Sequence, residues 1–306
     1  MRNYYIVDAF TAKPFAGNPA GVVLLDDDQS TCTPGETALT NASEERWMRD
    51  MAMEINQSET AFAVRRDDTD VYSIRYFTPD GSEVALCGHA TLATAHVLYT
   101  LGHVPESLSI TFHAKGGTLV CRKAEDGRIC MMFPADVTRE ARIQEDGIAQ
   151  DMIDHGFEGL GREDIVYIGR GLYDYMIVCE TQNIVETIVP KNNVLEKLSR
   201  DHTIRGFIVT APAEDKGTHG VDFVSRFFGP GVGIPEDPVT GSAHCTLGPY
   251  WGHIFKSDTL AGMQICPKRG GTVYIDTKHE NAVEISGHAV LVATATLMHT
   301  TCNNTR

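Results

Sequence analysis

The 306-residue sequence is poor in basic residues and has no long apolar run. It contains 26 lysines and arginines against 41 aspartates and glutamates, which gives a formal net charge of -15. Nucleic acids and anionic membrane surfaces are bound through cationic faces, so this charge argues against both as partners. No stretch approaches the ~20 apolar residues that a membrane-spanning helix needs. The N-terminal residues MRNYYIVDAF lack the apolar core of a signal peptide, and we therefore expect a cytoplasmic protein.

The eight cysteines form no CxxC pair, and several lie inside apolar, strand-like segments such as residues 129–133. We therefore expect buried free thiols in a reducing compartment rather than a disulfide framework. The sequence also contains no Walker loop, no dinucleotide-binding fingerprint and no GxSxG nucleophile elbow. Its histidines are not spaced as metal ligands, so we predict no metal site. Nothing in these patterns points to a bound cofactor.

What the sequence does contain is a pair of glycine-rich turns, each of which follows a strand-like segment and opens an alanine-rich helix. The first half reads RYFTP at residues 75–79 and LCGHATLA at residues 86–93, and the second reads RFFGP at residues 226–230 and EDPVTGSAH at residues 236–244. A helix N-terminus presents backbone N–H groups without intrahelical partners and the positive end of the helix dipole. Two such N-termini facing one cleft would hold a small carboxylate. The duplication therefore predicts an active site between two related halves.

Length and duplication together predict two domains, residues 1–134 and residues 135–306, with the apolar segment 289–298 able to cross back to the first. Residues 89–101 are small or apolar with little amphipathic contrast, which is typical of a buried central helix. The Asp126-Gly127 pair between two strand-like segments predicts a hairpin.

Glu59 is the leading candidate for a general base. It lies on a predicted strand, on the same face as Ala61 and Ala63. A carboxylate on such a face would lose its contact with water, which raises its pKa toward the working pH of a general base. Periodicity alone favours the alternative, an exposed strand glutamate without a function.

Three other residues near the two turns are candidates for a functional role. His89, in the first turn of a helix, should be neutral because the helix dipole disfavours a cation there, and it is either a site residue or a core histidine. Asp237 either stabilises the turn or points a carboxylate into the predicted cleft. Cys87 could act as a thiolate base, because a helix N-terminus lowers the pKa of a thiol. A two-thiol racemase needs a second thiol, however, and Thr240 occupies the matching position, so that chemistry is disfavoured.

Six segments that together span nearly the whole chain resemble the PhzF-like family of phenazine biosynthesis proteins. They are FAGNPAG at 15–21, QSETAF at 57–62, LCGHAT at 86–91, EDPVTGSA at 236–243, RGG at 269–271 and ISGHA at 285–289. The segments occur in the order that the family has. One such motif alone is a weak signal, whereas several in order are specific.

The resemblance implies the diaminopimelate epimerase-like fold, a mixed α/β (α+β) architecture in which two pseudo-symmetric domains each wrap a sheet around a central helix. It also implies an isomerase that uses no cofactor and is usually a homodimer. By this resemblance Glu59 is the acid/base that takes a proton from one carbon and returns it to another. His89 and Asp237 would contact the substrate, and the backbone N–H groups of Gly88 and Ser242 would hold its carboxylate.

We therefore expect a hydrogen shift on a small carboxylic acid. Two alternatives stay open at this point: a lyase or epimerase acting on a hydroxy- or amino-acid, and a catalytically silent protein-interaction module with the same fold. The motifs do not fix the substrate or its pathway. Four variable residues could line its pocket, namely Tyr76, Phe228, Met263 and Gln264.

Overall fold

The computed structural model describes residues 2–25, 42–66, 70–214 and 220–298. The chain divides into two compact units: unit 1 comprises Met1–Met132 and Ser286–Arg306, and unit 2 comprises Phe133–Ile285. Within the described ranges, no helix is long and apolar enough to cross a membrane.

In its described residues, unit 1 combines a mixed sheet with two helices. Strands β1 to β4 pair in sequence, antiparallel for β1–β2 and β3–β4 and parallel for β2–β3. Strand β6 then pairs parallel with β4 and antiparallel with β7, which pairs antiparallel with β8. The elements are β1 (Arg2–Ala9), β2 (Asn18–Leu25), α1 (Ala42–Ile55), β3 (Glu59–Arg66), β4 (Val71–Phe77), β5 (Glu83–Val84), α2 (Gly88–Thr100), β6 (Ile110–Ala114), β7 (Gly117–Lys123) and β8 (Ile129–Pro134), whose last two residues belong to unit 2.

Helix α2 forms the centre of unit 1. Ten of its residues are buried, and it packs against β1, β2 and β3. Its small residues allow this close packing on several sides, which an amphipathic helix with one polar face would not tolerate. The prediction of a buried central helix in this segment is confirmed.

Unit 2 has more elements but the same mixture of parallel and antiparallel pairing. They are β9 (Arg139–Glu140), α3 (Gly147–His155), β10 (Phe157–Glu158), β11 (Ile165–Arg170), β12 (Asp174–Cys179), α4 (Gln182–Thr187), β13 (Val189–Pro190), α5 (Asn192–His202), β14 (Gly206–Pro212), β15 (Phe223–Gly229), β16 (Ile234–Asp237), α6 (Gly241–Phe255), β17 (Thr259–Ile265), β18 (Gly270–Asp276) and β19 (Ala282–Gly287), whose last two residues belong to unit 1. The last strand, β20 (Ala289–Leu297), pairs antiparallel with β1. That pairing carries the late part of the chain into unit 1.

The two units repeat one arrangement of strands and a helix. In unit 1, β3 and β4 form an antiparallel pair, β4 pairs with the short β5, α2 follows, and β6 pairs parallel with β4 and antiparallel with β7. In unit 2, β14, β15, β16, α6, β17 and β18 follow in the same order with the same pairings. The RYFTP and RFFGP segments therefore lie at the ends of equivalent strands.

The repeat extends to side chains. Nε of Arg75 donates to Oε1 of Glu83 at 2.7 Å, and Nε of Arg226 donates to Oε1 of Glu236 at 2.7 Å. Each guanidinium also lies over the ring of the phenylalanine two residues along its own strand, at 5.1 and 4.9 Å from the ring centroid. Each ion pair fixes the short strand that precedes the helix, and thus the position from which the helix starts.

Six of the eight cysteines lie in the described residues, and all six are free thiols, five of them buried. The prediction of free thiols is confirmed for these six. Burial raises the pKa of Cys179 and of Cys245 to about 12 each, so both are protonated, inert core residues. The other two, Cys32 and Cys302, lie outside the described residues.

Candidate functional site

Strand β3 and the turn before α2 bring a carboxylate, a thiol and an imidazole together inside unit 1. Glu59 is the first residue of β3, Cys87 is the N-cap residue of α2, and His89 is the second residue of that helix. The exposed fractions of Glu59, Cys87 and His89 are 7%, 7% and 8%. The alternative of an exposed strand glutamate is therefore wrong for Glu59.

The imidazole of His89 lies between the other two groups. Its Nε2 lies 3.2 Å from Oε2 of Glu59, and its Nδ1 lies 3.4 Å from Sγ of Cys87. The approach of Nε2 to Glu59 is close but lacks the alignment of a hydrogen bond, so within the described residues this buried nitrogen has no hydrogen-bond partner. In a neutral imidazole, the nitrogen beside the Glu59 carboxylate either carries the ring hydrogen or presents a lone pair.

Burial lowers the pKa of His89 to about 4. The imidazole is therefore neutral near pH 7, with one N–H donor and one acceptor nitrogen. A neutral His89 is what the sequence predicts, although the cause is burial rather than the helix dipole.

Three donor atoms, one each from Glu59, Cys87 and His89, all lie within 4.8 Å of one another. Within the part of the chain that the structure describes, these residues are close enough to hold a metal ion. Histidine spacing along the sequence does not reveal such a group, because it needs β3 to lie beside the start of α2.

In unit 2, the equivalent turn is held by Gln264 of β17. Its Oε1 accepts from the backbone N–H of Thr240 at 2.8 Å, and its Nε2 donates to the backbone carbonyl of Asp237 at 2.8 Å. Oγ1 of Thr240 donates to Oδ2 of Asp237 at 2.5 Å. This hydrogen bond agrees with the structural interpretation of Asp237, in which the residue stabilises the turn. The N-cap residue of α6, Thr240, forms no cap hydrogen bond with its own side chain.

Ser242, in the first turn of α6, is bound by an arginine from a distant part of unit 2. Nη1 of Arg205 donates to Oγ of Ser242 at 2.9 Å, while its Nε donates to Oδ1 of Asp174 at 2.9 Å and its Nη2 donates to Oδ2 of the same carboxylate. The Asp174 side chain is only 1% exposed. Burial raises the pKa of Asp174, and the guanidinium of Arg205 opposes that shift. No motif marks Arg205, since the contact spans 37 residues of sequence.

His244, one turn into α6, is the second buried histidine near a helix start. Its Nδ1 lies 2.8 Å from the backbone carbonyl of Thr240, and because a carbonyl only accepts, Nδ1 carries the hydrogen. Its Nε2 is buried, with no hydrogen-bond partner in the described ranges. Burial lowers the pKa of His244 to about 4.

The sequence-predicted residues form one set in each unit: Glu59, Gly88 and His89 in unit 1, and Asp237 and Ser242 in unit 2. The cleft predicted for both sets stays a prediction.

Two of the four candidate pocket residues are core residues instead. Tyr76 and Phe228 are fully buried, and the hydroxyl of Tyr76 lies 2.6 Å from Oγ1 of Thr91. Gln264 is buried as well and holds the turn that contains Asp237.

The chain is similar to phenazine biosynthesis-like proteins in both sequence and fold. A family model described as "Phenazine biosynthesis-like protein" matches residues 7–295. An uncharacterized isomerase of Halalkalibacterium halodurans is 38% identical over 294 residues, which cover 96% of this chain and 97% of that protein. The crystal structure of a PhzF-family phenazine biosynthesis protein from Enterococcus faecalis is 36% identical, has a TM-score of 0.78, and covers 97% of this chain and 99% of its own.

A more distant structure shares the fold alone. The predicted epimerase from Pseudomonas aeruginosa is 19% identical, with a TM-score of 0.69 over 98% of this chain and 100% of its own. The predicted mixed α/β, epimerase-like fold is confirmed.

Proposed function

Because the chain belongs to the phenazine biosynthesis-like (PhzF) family, we propose that it is a cofactor-independent isomerase that shifts a hydrogen between two carbons of a small carboxylic acid. Relatives named as isomerases support an isomerase-type enzyme. The observation that carries the proposal is the buried Glu59, with the neutral imidazole of His89 3.2 Å from its carboxylate.

Glu59 is the acid/base in this mechanism. Its carboxylate takes a proton from a carbon that is acidified by the substrate's own unsaturation or carboxyl group, and the resulting acid returns the proton to another carbon. A positioned acid/base of this kind contributes about 10²–10⁴-fold to a rate. Burial supports the role, because it keeps bulk water away from the carboxylate during proton transfer.

His89 assists as a neutral hydrogen-bond partner. With a pKa lowered to about 4, it does not protonate Glu59 or the substrate near pH 7. Its N–H can instead hold the Glu59 carboxylate in place or donate to the charge that develops on the substrate.

The start of α2 supplies donors for the substrate's carboxylate. The first bond of the helix runs from the N–H of Thr91 to the carbonyl of Cys87, and the Cys87 side chain forms no cap. The N–H of Gly88 precedes this first bond and so has no intrahelical partner. A preorganised donor aimed at a developing anion is typically worth about 3–4 kcal/mol.

Asp237 and Ser242 are the substrate-binding residues that the family resemblance assigns in unit 2, and this role is part of the proposal. The resemblance assigns the backbone N–H of Ser242, and the contact with Arg205 makes the hydroxyl of the same residue a second candidate donor. A guanidinium can only donate, so Oγ of Ser242 accepts from it, and the Ser242 O–H can itself donate to a carboxylate.

A one-base mechanism agrees better with the repeat than a two-thiol racemase. Cys87 is the N-cap residue of α2, and the equivalent N-cap residue of α6 is Thr240. The Thr240 hydroxyl already donates to Asp237 at 2.5 Å and is not a base near pH 7.

The homodimer implied by the resemblance remains a proposal, which light scattering on the purified chain would check.

The proposal is tested with a panel of small unsaturated and hydroxylated carboxylates, ranked by thermal stabilisation and then incubated with the protein in D₂O. Proton NMR follows the movement of the hydrogen and any uptake of deuterium. We expect Glu59→Gln to lose about 10²–10⁴-fold in rate while its melting temperature stays close to that of the wild type. The matched control is Glu54→Gln, the same change at an exposed position of α1, which keeps the wild-type rate.

Two results would contradict the proposal. A Glu59→Gln protein with the wild-type rate would remove the base assignment. Deuterium at a stereocentre together with inversion would identify the protein as a two-base epimerase instead.

A further inference from the structure

We propose that Glu59, Cys87 and His89 bind a divalent cation of the zinc class. Their three donor atoms are a carboxylate oxygen, a thiol sulfur and an imidazole nitrogen, and all lie within 4.8 Å of one another. Each of the three residues is more than nine-tenths buried. This inference goes beyond the proposed isomerase reaction, which uses no metal.

The spacing of Cys87 and His89 suits tetrahedral coordination. Their Sγ and Nδ1 atoms are 3.4 Å apart. With zinc–sulfur and zinc–nitrogen bonds of about 2.3 and 2.0 Å, that separation corresponds to an angle of about 100° at the ion. Glu59 supplies the third donor by rotation of its side chain. Three protein ligands leave a fourth position for water or for a carboxylate ligand, as in zinc sites that are open to substrate.

The donor set determines which cation is preferred. Sulfur and imidazole ligands favour Zn²⁺ or Co²⁺ over Mg²⁺ and Ca²⁺, which take oxygen ligands. Binding releases the proton of the Cys87 thiol to solvent, so zinc affinity should fall as the pH is lowered. Among the described residues Nε2 of His89 has no hydrogen-bond partner, so on that side no hydrogen bond from them locks the ring in its present orientation.

A bound ion would have a consequence for the proposed reaction. It would occupy the lone pairs of Glu59 that proton transfer needs, and it would therefore act as a reversible inhibitor. That consequence rests on the proposed function, whereas the binding itself does not.

The test is a cobalt titration of the metal-stripped, full-length protein without substrate. A cobalt–thiolate bond gives a near-ultraviolet charge-transfer band, which histidine or carboxylate sites elsewhere on the surface do not produce. We expect the band to saturate at one equivalent of Co²⁺ and to disappear on addition of Zn²⁺. Cys87→Ser should abolish it, and Cys266→Ser, a change at a half-buried thiol in unit 2, should leave it intact.

Absence of the band in the wild type, or an unchanged band in Cys87→Ser, would overturn the proposal. Glu59→Gln provides a second readout should Cys87→Ser fail to fold. Glu59→Gln should keep the charge-transfer band but bind zinc more weakly. Its zinc affinity should fall by at least the factor of about 10–100 that loss of an outer-shell partner causes. Unchanged zinc affinity in Glu59→Gln would equally overturn the three-ligand site. No substrate is present, so failure here leaves the isomerase proposal untouched, and failure of that proposal leaves this test unaffected.

Discussion

Nη1 of Arg205 donates to Oγ of Ser242 at 2.9 Å, while the rest of the same guanidinium binds the buried carboxylate of Asp174. The arginine therefore lies at the start of α6 in one fixed orientation. Its contact with Asp174 is a structural ion pair, and its contact with Ser242 orients a hydroxyl to which the proposed function assigns substrate binding.

Arg205→Gln should lower the free energy of unfolding by about 3–5 kcal/mol, because it leaves the Asp174 carboxylate buried without a counter-charge. Urea denaturation measures the change. The matched control is Arg200→Gln on α5, whose arginine side chain is 69% exposed and forms a surface ion pair with Asp201. That change should stay within about 0.5 kcal/mol of the wild type. Equal losses in the two variants would show that the Asp174 pair adds no stability.

Gly17→Ala should destabilise the protein more than Gly102→Ala, although both glycines have positive φ, +64° and +71°. A Cβ at Gly17 would overlap the backbone carbonyl of Ala9, whereas a Cβ at Gly102 would meet nothing within 4 Å. We expect a loss of about 1–2 kcal/mol at Gly102 from the backbone conformation alone. Overpacking against fixed backbone should add about 1–3 kcal/mol at Gly17. Equilibrium unfolding of both variants checks the difference, and equal losses would contradict the close approach.

His244 should make the protein less stable as the pH falls. Its pKa is about 4 in the folded chain against 6.5 for an ordinary histidine, so between these values the unfolded chain binds a proton that the folded chain does not. The contribution is fully present above about pH 6.5 and falls by up to about 3 kcal/mol as the pH approaches 4.

His244→Gln removes this proton uptake, so the stability difference between wild type and variant should shrink between about pH 7 and about pH 5. Urea denaturation at both pH values measures it. His103→Gln, at an exposed position, is the control and should keep the acid sensitivity of the wild type. If the stability difference between the wild type and His244→Gln did not depend on pH, the assignment of a neutral buried histidine would be contradicted.

Cys87→Ser should retain turnover within about tenfold of the wild type, in contrast to the loss of about 10²–10⁴-fold expected for Glu59→Gln. The reason is that a one-base hydrogen shift does not need the thiol. The D₂O assay compares the two variants on the same substrate in metal-free buffer. Comparable losses in both would show that the thiol takes part in proton transfer.

The elements of the fold that can be predicted are those whose sequence pattern lies within a single segment. Helix α2 has small and apolar residues on all sides, and ten of its residues are buried. The hairpin at Asp126-Gly127 is confirmed, with β7 and β8 pairing antiparallel and Gly127 at a φ of +85°. The sequence pattern does not predict α3, although Asp146 caps this helix by accepting from two backbone N–H groups. Strands β6 and β17 are also not predicted; each pairs antiparallel with the strand that follows it and parallel with an earlier strand.

The candidate site was predictable only in part. The sequence identifies Glu59 as a candidate base. Alternation along β3 predicts that one side of the strand faces solvent, but the first six residues of the strand are all buried. The cause is tertiary: β3 lies between β2 and β4, and both α1 and α2 pack on it. The contact of Arg205 with Ser242 could not be predicted, because neither residue type nor spacing marks a pair that only the folded unit 2 brings together.

The pairing of β20 with β1 has a consequence for synthesis on the ribosome. Unit 2 is one continuous stretch of chain, but β1 gains its neighbour β20 only after every residue of unit 2 has been made. The growing chain can complete unit 2 first and must carry unit 1 with an open strand edge until residues 289–297 emerge. During that interval a chaperone or another nascent chain competes with β20 for the same backbone hydrogen bonds.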